Sequence, residues 1–447
     1  MKLLIKTATR LGLGAFLLTT ALFPVAKAVP PPDGCYPGLT TAEGCQALRN
    51  LTSGTANSGL GWYSLWSDTT GSFNTGVGAA TLALNNADNN TALGAAALVL
   101  NSTGADNTAS GTFALFNNTT GNRNTASGYY ALFNNRSSSN NSAFGWGALA
   151  SNGFGDYNTA CGYLSLNSNT DGPGNTANGA FALAHNTVGD ANTAAGVAAL
   201  FVNSTGVWNT AVGWNALNVS NGNRNTATGY KALINNTTGD DNTAVGYLAL
   251  AFSGTGSRNV ALGANTAANV TTADNVICIG SNVAGANVSN TCFIGNIFDA
   301  SIPDGAPVYV ATDGKLGTVI SSARFKDDIK PMDKASEAIL ALKPVRFHYK
   351  GDAKGTRQFG LIAEDVADVN PDLVVRDKDG EIYSVRYDAV NAMLLNEFLK
   401  AHRRIEQQDT RIEQLTAALK EQALQIQNVS AQLELQNRQP QRLANNP

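Results

Sequence analysis

A serine hydroxyl and a lysine amine stand five positions apart in Ser321-Ser322-Ala323-Arg324-Phe325-Lys326. A hydroxyl is a poor nucleophile until a base takes its proton, and an amine can be that base only while neutral. Burial and the neighbouring Arg324 would favour a neutral Lys326, whereas Asp327 and Asp328 would favour the charged form if they faced it. Ser-x4-Lys pairs arise by chance in any long chain, so this one takes its meaning from its place. It lies where a long, nearly charge-free stretch rich in Asn, Thr, Gly and Ala gives way to a charged segment, and so abrupt a break marks a functional boundary. The chemistry such a pair offers is a cut in its own backbone, before Ser321. No Ser/His/Asp set competes, since His185 falls in a repeat turn, His348 on a strand and His402 on the terminal helix. No Cys/His spacing resembles a metal site, and the sequence calls for no metal or cofactor.

The elements that must carry this pair begin with an export signal over residues 1–28. Lys2, Lys6 and Arg10 precede the apolar run Leu11 to Val25, and Ala26-Lys27-Ala28 closes it with the small-x-small pattern of a cleavage site. The run is short for a bilayer span and no other stretch is long and apolar enough, so no stable membrane span is expected once the signal is gone. A secreted or cell-surface protein follows. With 30 basic and 33 acidic residues the net charge is −3, which offers no basic surface for nucleic acid. Residues 29–55 form a segment in which Cys35 and Cys45 flank a Pro/Gly loop, a candidate disulfide in an exported protein. Cys161, Cys278 and Cys292 fall at repeat positions otherwise filled by small or apolar residues and are expected to be buried, unreactive thiols.

Residues 56–296 repeat N-T-A-x-G-x-x-A-L followed by a polar turn. Glycines from Gly61 to Gly295 recur at intervals of 17, occasionally 16 and finally 15 residues, and a leucine follows four places after each of the first twelve, from Leu65 to Leu250. A fixed period means a repeat architecture. Asn, Gly and Thr oppose helix and favour turns, so the natural solution is a mainly β fold, a β-solenoid with a short strand in each N-T-A-x-G. The recurring Asn should bond to its copies in the coils above and below. Each coil offers one leucine and a few alanines, a thin core that association of several chains would relieve. Phe113, Phe116, Phe133, Trp146, Phe181, Phe201, Trp208 and Trp214 are then available either to fill inter-chain space or to stack toward solvent. Asp190, Asp240 and Asp241 lie in turns without the spacing of calcium-binding β-rolls.

The last registers, Asn275-Val276-Ile277-Cys278-Ile279-Gly280 and Asn290-Thr291-Cys292-Phe293-Ile294-Gly295, resemble the N-S-V-A-I-G motif of trimeric autotransporter adhesin heads, which are parallel β-rolls packed as trimers. Most registers here lack one residue between Asn and Gly, and the coil is longer. After a connector over 297–320, residues 321–390 alternate strands and helices as a small α+β module, with strands read at Pro344 to Tyr349 and Gln358 to Ile362. Ser321 to Ile329, Ala341 to Val345, Gln358 to Val366 and Val385 to Val390, in that order, resemble the intramolecular chaperone auto-processing domain at the end of phage tailspikes and endosialidases and in the myelin regulatory factor. The resemblance implies a scissile bond between Ile320 and Ser321, with Ser321 as nucleophile and Lys326 as base; the spacing of Ser322 to Lys326 does not fit the motif. It also implies a single-turnover serine endopeptidase with no other substrate.

Residues 391–447 are expected to form a coiled-coil helix and tail. Phe398, Ile405, Ile412, Leu419, Ile426 and Leu433 recur every seven residues, and the second seam position runs Gln408, Leu415, Gln422, Val429, Gln436. The whole reads as a homotrimeric, adhesin-like fibre whose C-terminal chaperone aligns the chains and then departs. A cell-surface or glycan ligand is the partner such a fibre would seek, and the sequence does not reveal it. A surface-layer protein without a ligand and a glycan-degrading fibre are the rival readings, the latter without a convergent acid pair in the repeats.

Overall fold

The computed structural model describes residues 38–298, 300, 302 and 304–437. The export signal and Cys35, and with it the Cys35–Cys45 pairing, lie outside the described residues. The chain divides into two compact units with the break after residue 301.

The first unit is a parallel β-solenoid. Sixteen short strands, β1 to β16, run from Thr41–Glu43 to Thr291–Ile294 and pair each with the next in one sheet. Pairing is in register, as in Thr108↔Thr125, Ala109↔Ala126 and Ser110↔Ser127. Side chains alternate across a strand, so the central alanine of Thr-Ala-x points inward and is fully buried, while Thr and the third residue point out. The leucines from Leu65 to Leu250 are the largest fully buried side chains and stack with the alanines into one continuous core.

Counting apolar residues alone understates how well one chain closes this interior. Asn107 Oδ1 accepts the backbone N–H of Asn124 at 3.0 Å and its side-chain amide at 3.1 Å, while Asn107 Nδ2 donates to Gly121 O at 2.9 Å. A second column has Asn118 Nδ2 donating to Asn101 Oδ1 at 2.7 Å and to Gly121 O at 3.0 Å. Both columns are fully buried, and burial of an amide is tolerable when its partners are met. The expected asparagine ladder is therefore present twice. Where the second column meets Ser220, which has no amide to donate, Asn203 Oδ1 is left without a partner.

The turns demand unusual backbone. In the coil after Asn107, Phe113, Leu115 and Arg123 have φ of 61°, 50° and 55°, a left-handed conformation that costs an L-residue roughly 1 kcal/mol or more. The same three places recur along the stack. Each of the three is offset by a bond to a neighbouring coil, Phe113 N–H to Ala95 O, Arg123 N–H to Ala105 O and Leu115 N–H to Ala131 O. Gly111 has φ 136°, and a Cβ there would lie 2.6 Å from Gly128 O, so only glycine lets the coils close up.

Two features differ from the sequence reading. The stack begins one coil earlier than Asn57, because β1 (Thr41–Glu43) pairs with β2 (Ser58–Leu60), with Thr40 buried where later coils have Asn. Of the three repeat cysteines only Cys278 is buried; Cys161 and Cys292 are exposed, since Cys161 is the outward third residue of Thr159–Cys161 and Cys292 pairs with the outward side of β15 (Val276–Ile279). The corner acids are structural: Asp156 Oδ1 accepts Ser139 N–H, Asp240 Oδ1 accepts Asn223 N–H, and Asp241 holds Arg224 through two bonds of 2.6 and 3.0 Å.

The second unit opens with a hairpin, β17 (Tyr309–Val310) and β18 (Leu316–Gly317). A 3-10 turn Ala323–Phe325 and a 3-10 run Asp333–Ala341 follow. Then come a hairpin of β19 (Val345–Phe347) and β20 (Gln358–Gly360), helix α1 (Ala363–Val369), a hairpin of β21 (Val374–Arg376) and β22 (Ile382–Val385), and helix α2 (Tyr387–Asn437). Val366, Leu373, Val374, Val385 and Met393 form its small core. Tyr387 Oη accepts Leu361 N–H at 3.0 Å and so ties the start of α2 to the end of β20. No described helix is long and apolar enough to cross a membrane.

Candidate self-cleavage site

After β18 the chain runs through Thr318, Val319 and Ile320 outside any strand, with Val319 and Ile320 exposed. It then folds into the turn Ala323–Phe325, closed by Phe325 N–H to Ser322 O at 3.0 Å and Lys326 N–H to Ala323 O at 3.1 Å. The turn folds the chain back on itself within three residues, so the long Lys326 side chain just after it can reach the residue that leads into it. Lys326 Nζ donates to Ser321 Oγ at 3.3 Å. The pair picked out by spacing is thus brought together. Ser322 caps the turn in extended conformation, with no bond from its own hydroxyl to the turn.

The surroundings depart from the expectation at two points. Ser321 and Lys326 are exposed, so the burial that would favour a neutral amine is not supplied by one chain. Arg324 lies over the ring of Phe325, 4.5 Å from its centroid. Of the two acids, Asp328 turns to Lys330 at 2.7 Å. In this state the amine holds the Ser321 hydroxyl in place.

A polar clasp that spacing could not have shown fixes the module behind the pair. Ser336 is fully buried on the 3-10 run; its Oγ donates to Glu397 Oε1 at 2.6 Å and accepts from Asn396 Nδ2 at 2.6 Å. Lys400 Nζ donates to the same Oε1 at 2.7 Å. Lys400 and the Ser336 hydroxyl hold the Glu397 carboxyl below its ordinary range. The partners lie about sixty residues apart in sequence, with only the i,i+3 Glu397–Lys400 pair as a local signal.

No group of three or more His, Cys, Asp or Glu side chains that could hold a metal occurs among the described residues. Comparison with known families places residues 321–375 under the family described as chaperone of endosialidase, a match that begins at Ser321. The chain carries a C-terminal chaperone-of-endosialidase domain. The matched segment follows the solenoid in sequence, and the family is one of self-cleaving intramolecular chaperones. Three of the four segments that carried the resemblance lie inside the matched residues, and Val385 to Val390 lies beyond them. No curated protein and no solved structure matches the chain.

Proposed function

We propose that the chain is a secreted or surface-displayed homotrimeric fibre whose chaperone-of-endosialidase domain aligns the solenoids and is then released by a cut between Ile320 and Ser321. The observation that carries this is Lys326 Nζ at 3.3 Å from Ser321 Oγ, at the residue where the matched domain starts. With the amine neutral, Lys326 takes the hydroxyl proton as Oγ attacks the Ile320 carbonyl. The C–N bond of Ile320–Ser321 then breaks, an ester joins the Ile320 carbonyl to Oγ, and the proton passes to the departing Ser321 nitrogen. Water hydrolyses the ester, leaving a carboxylate at Ile320 and restoring the hydroxyl. The domain is consumed once and has no other substrate.

Assembly rests on α2. Its heptad residues Phe398, Ile405, Ile412, Leu419, Ile426 and Leu433 are all more than half exposed in one chain, a seam that only other chains can cover. Gln408, Gln422 and Gln436 alternate with Leu415 and Val429 at the second seam position and would fix register. A coiled coil keeps three chains at high local concentration while long-range coil contacts form slowly. As an adhesin-like fibre the repeats would present a surface to cells or glycans; the corner acids Asp156, Asp240 and Asp241 are already engaged within the stack, which disfavours glycan hydrolysis.

Intact-mass measurement and denaturing electrophoresis of the wild type test the cut, with two products expected and the larger ending at Ile320. Ser321→Ala and Lys326→Ala should each leave one uncut band, and Ser322→Ala should still cut. Cleavage persisting in Ser321→Ala would overturn the assignment of the nucleophile.

A further inference from the structure

Each solenoid coil has three stretches of outward side chains, and they differ sharply. The first is the strand, whose outward residues are Thr or Ser and a variable third residue. The second runs from the glycine through the leucine and carries half of the aromatic side chains, including every ring stacked from coil to coil in the two columns below. The third is the polar turn back to the next Asn. Between Asn57 and Gly295 every Asp and Arg, from Asp68 to Asp274, falls in the third stretch; Lys231 is the one charged residue of the second, and the first has none.

On the second stretch Tyr129, Trp146 and Tyr163 stack on successive coils with centroids 6.1 and 5.3 Å apart. Trp214, Tyr230 and Tyr247 do the same at 4.9 and 5.2 Å. Rings stacked along the fibre cover one another's faces and present edges outward. A sugar binds an aromatic side chain by its face, so these columns are poorly placed for a stacked glycan. Ring edges pack well against a flat, uncharged surface. Such a surface is the strand stretch, where Thr or Ser fills the first outward position of every strand from Thr41 to Thr243. The strand hydroxyls from Thr75 to Thr243 stand on the outward, unburied side of their strands.

A closed threefold assembly is heterologous, so each copy offers one surface to one neighbour and a different surface to the other. Resting on the trimer reading above, we propose that the aromatic stretch of each copy packs on the strand stretch of the next, leaving the charged turn to solvent. The occupant of both faces, which from Asn57 to Gly295 carry a single charged residue between them, is therefore a second copy of this chain. The area agrees. Sixteen strands at about 4.8 Å each, with a face about 10 Å wide, give roughly 750 Å² per copy, near the ~800 Å² per partner of a stable interface.

The test uses the full-length chain carrying the photo-cross-linker p-benzoylphenylalanine in place of Trp146, of Tyr247, or of the turn residue Asp171, each assembly first being sized by sedimentation. The expected result is a three-chain particle in which the Trp146 and Tyr247 variants give cross-linked dimers and trimers of the repeat region. Mass spectrometry should place their attachment on strand residues such as Thr159 to Cys161 of another copy, and the Asp171 variant should stay single. A three-chain particle whose aromatic-face probes stay unlinked, link to another aromatic face, or capture a different molecule would overturn the packing and leave the trimer standing. Sedimentation as a single chain would instead remove the trimer reading, and the packing with it.

Discussion

Asp68 stands in the buried column that Asn118 and its counterparts fill in later coils, and it is fully buried. Burial pushes its carboxyl up to about 6 from 3.8, against the opposing pull of Gly71 N–H, Asn74 and Asn85 and with a smaller push from Asp88. The folded value lies above the unfolded one, so the folded chain binds the proton more tightly between the two. Stability in this coil is greatest below pH about 4, falls as pH rises to about 6, and stays low above. The difference of about two pH units corresponds to roughly 3 kcal/mol, or on the order of a hundredfold in the local opening equilibrium. Asp68→Asn removes the charge and restores the amide that later coils use: Gly71 O accepts only Asn57 Nδ2, whereas its counterpart Gly121 O accepts both Asn107 and Asn118. Native-state hydrogen exchange followed by mass spectrometry, corrected for intrinsic rates, reads this in Ser58–Leu60 and Thr75–Val77. Wild-type protection there should rise as pH is lowered from 7 to 4, while the variant should be flat and as protected at pH 7 as the wild type is in acid. Equal protection of the two proteins at pH 7, or the same pH dependence in both, would refute the reasoning.

Gly111→Ala forces a side chain into φ 136° against Gly128 O and should cost about 1–3 kcal/mol from backbone strain alone, seen as a lower urea midpoint. Asn118→Ala leaves Asn101 Oδ1 short of its donor and Asn135 Nδ2 short of its acceptor; at about 1–3 kcal/mol per buried orphan it should destabilise more than a surface change such as Thr120→Ala in the same assay. Ile412→Asp with Leu419→Asp puts charge into the exposed seam of α2 and should abolish the trimer in sedimentation and lower the yield of folded solenoid.

Much of the solenoid was legible because its period fixes both the inward alanine and the buried leucine. The Asn ladder followed from one side chain recurring at one place. The first coil escaped because Thr40 replaces the motif asparagine there, although Gly44 and Leu48 keep the 17-residue step to Gly61 and Leu65. Cys161 was misplaced by its chemistry, whereas strand alternation alone would have set it outward. The left-handed positions were hidden, since Phe113, Leu115 and Arg123 are residue types that seldom adopt that conformation. At the site, the composition break and the family resemblance, more than the spacing, pointed to Ser321 and Lys326, which lie 3.3 Å apart, but exposure depends on neighbours that sequence distance does not encode. The clasp of Ser336 with Asn396, Glu397 and Lys400 joins elements too far apart to be read.

Those left-handed residues bear on how the solenoid comes into being. A lone coil would meet the cost of three unfavourable backbone states with no adjacent coil to accept or donate the bonds that offset them, so it has no stable existence by itself. The barrier to starting a stack is consequently collective, and it must be crossed with several coils in place. Once crossed, each further coil adds onto a finished template. An external aligning device is needed only at the beginning, and a stack that has lost such a device would keep its form without being able to recover it after complete unfolding. Fibres of this kind carry their history in their backbone: heated past melting and cooled, they should return as disordered chains.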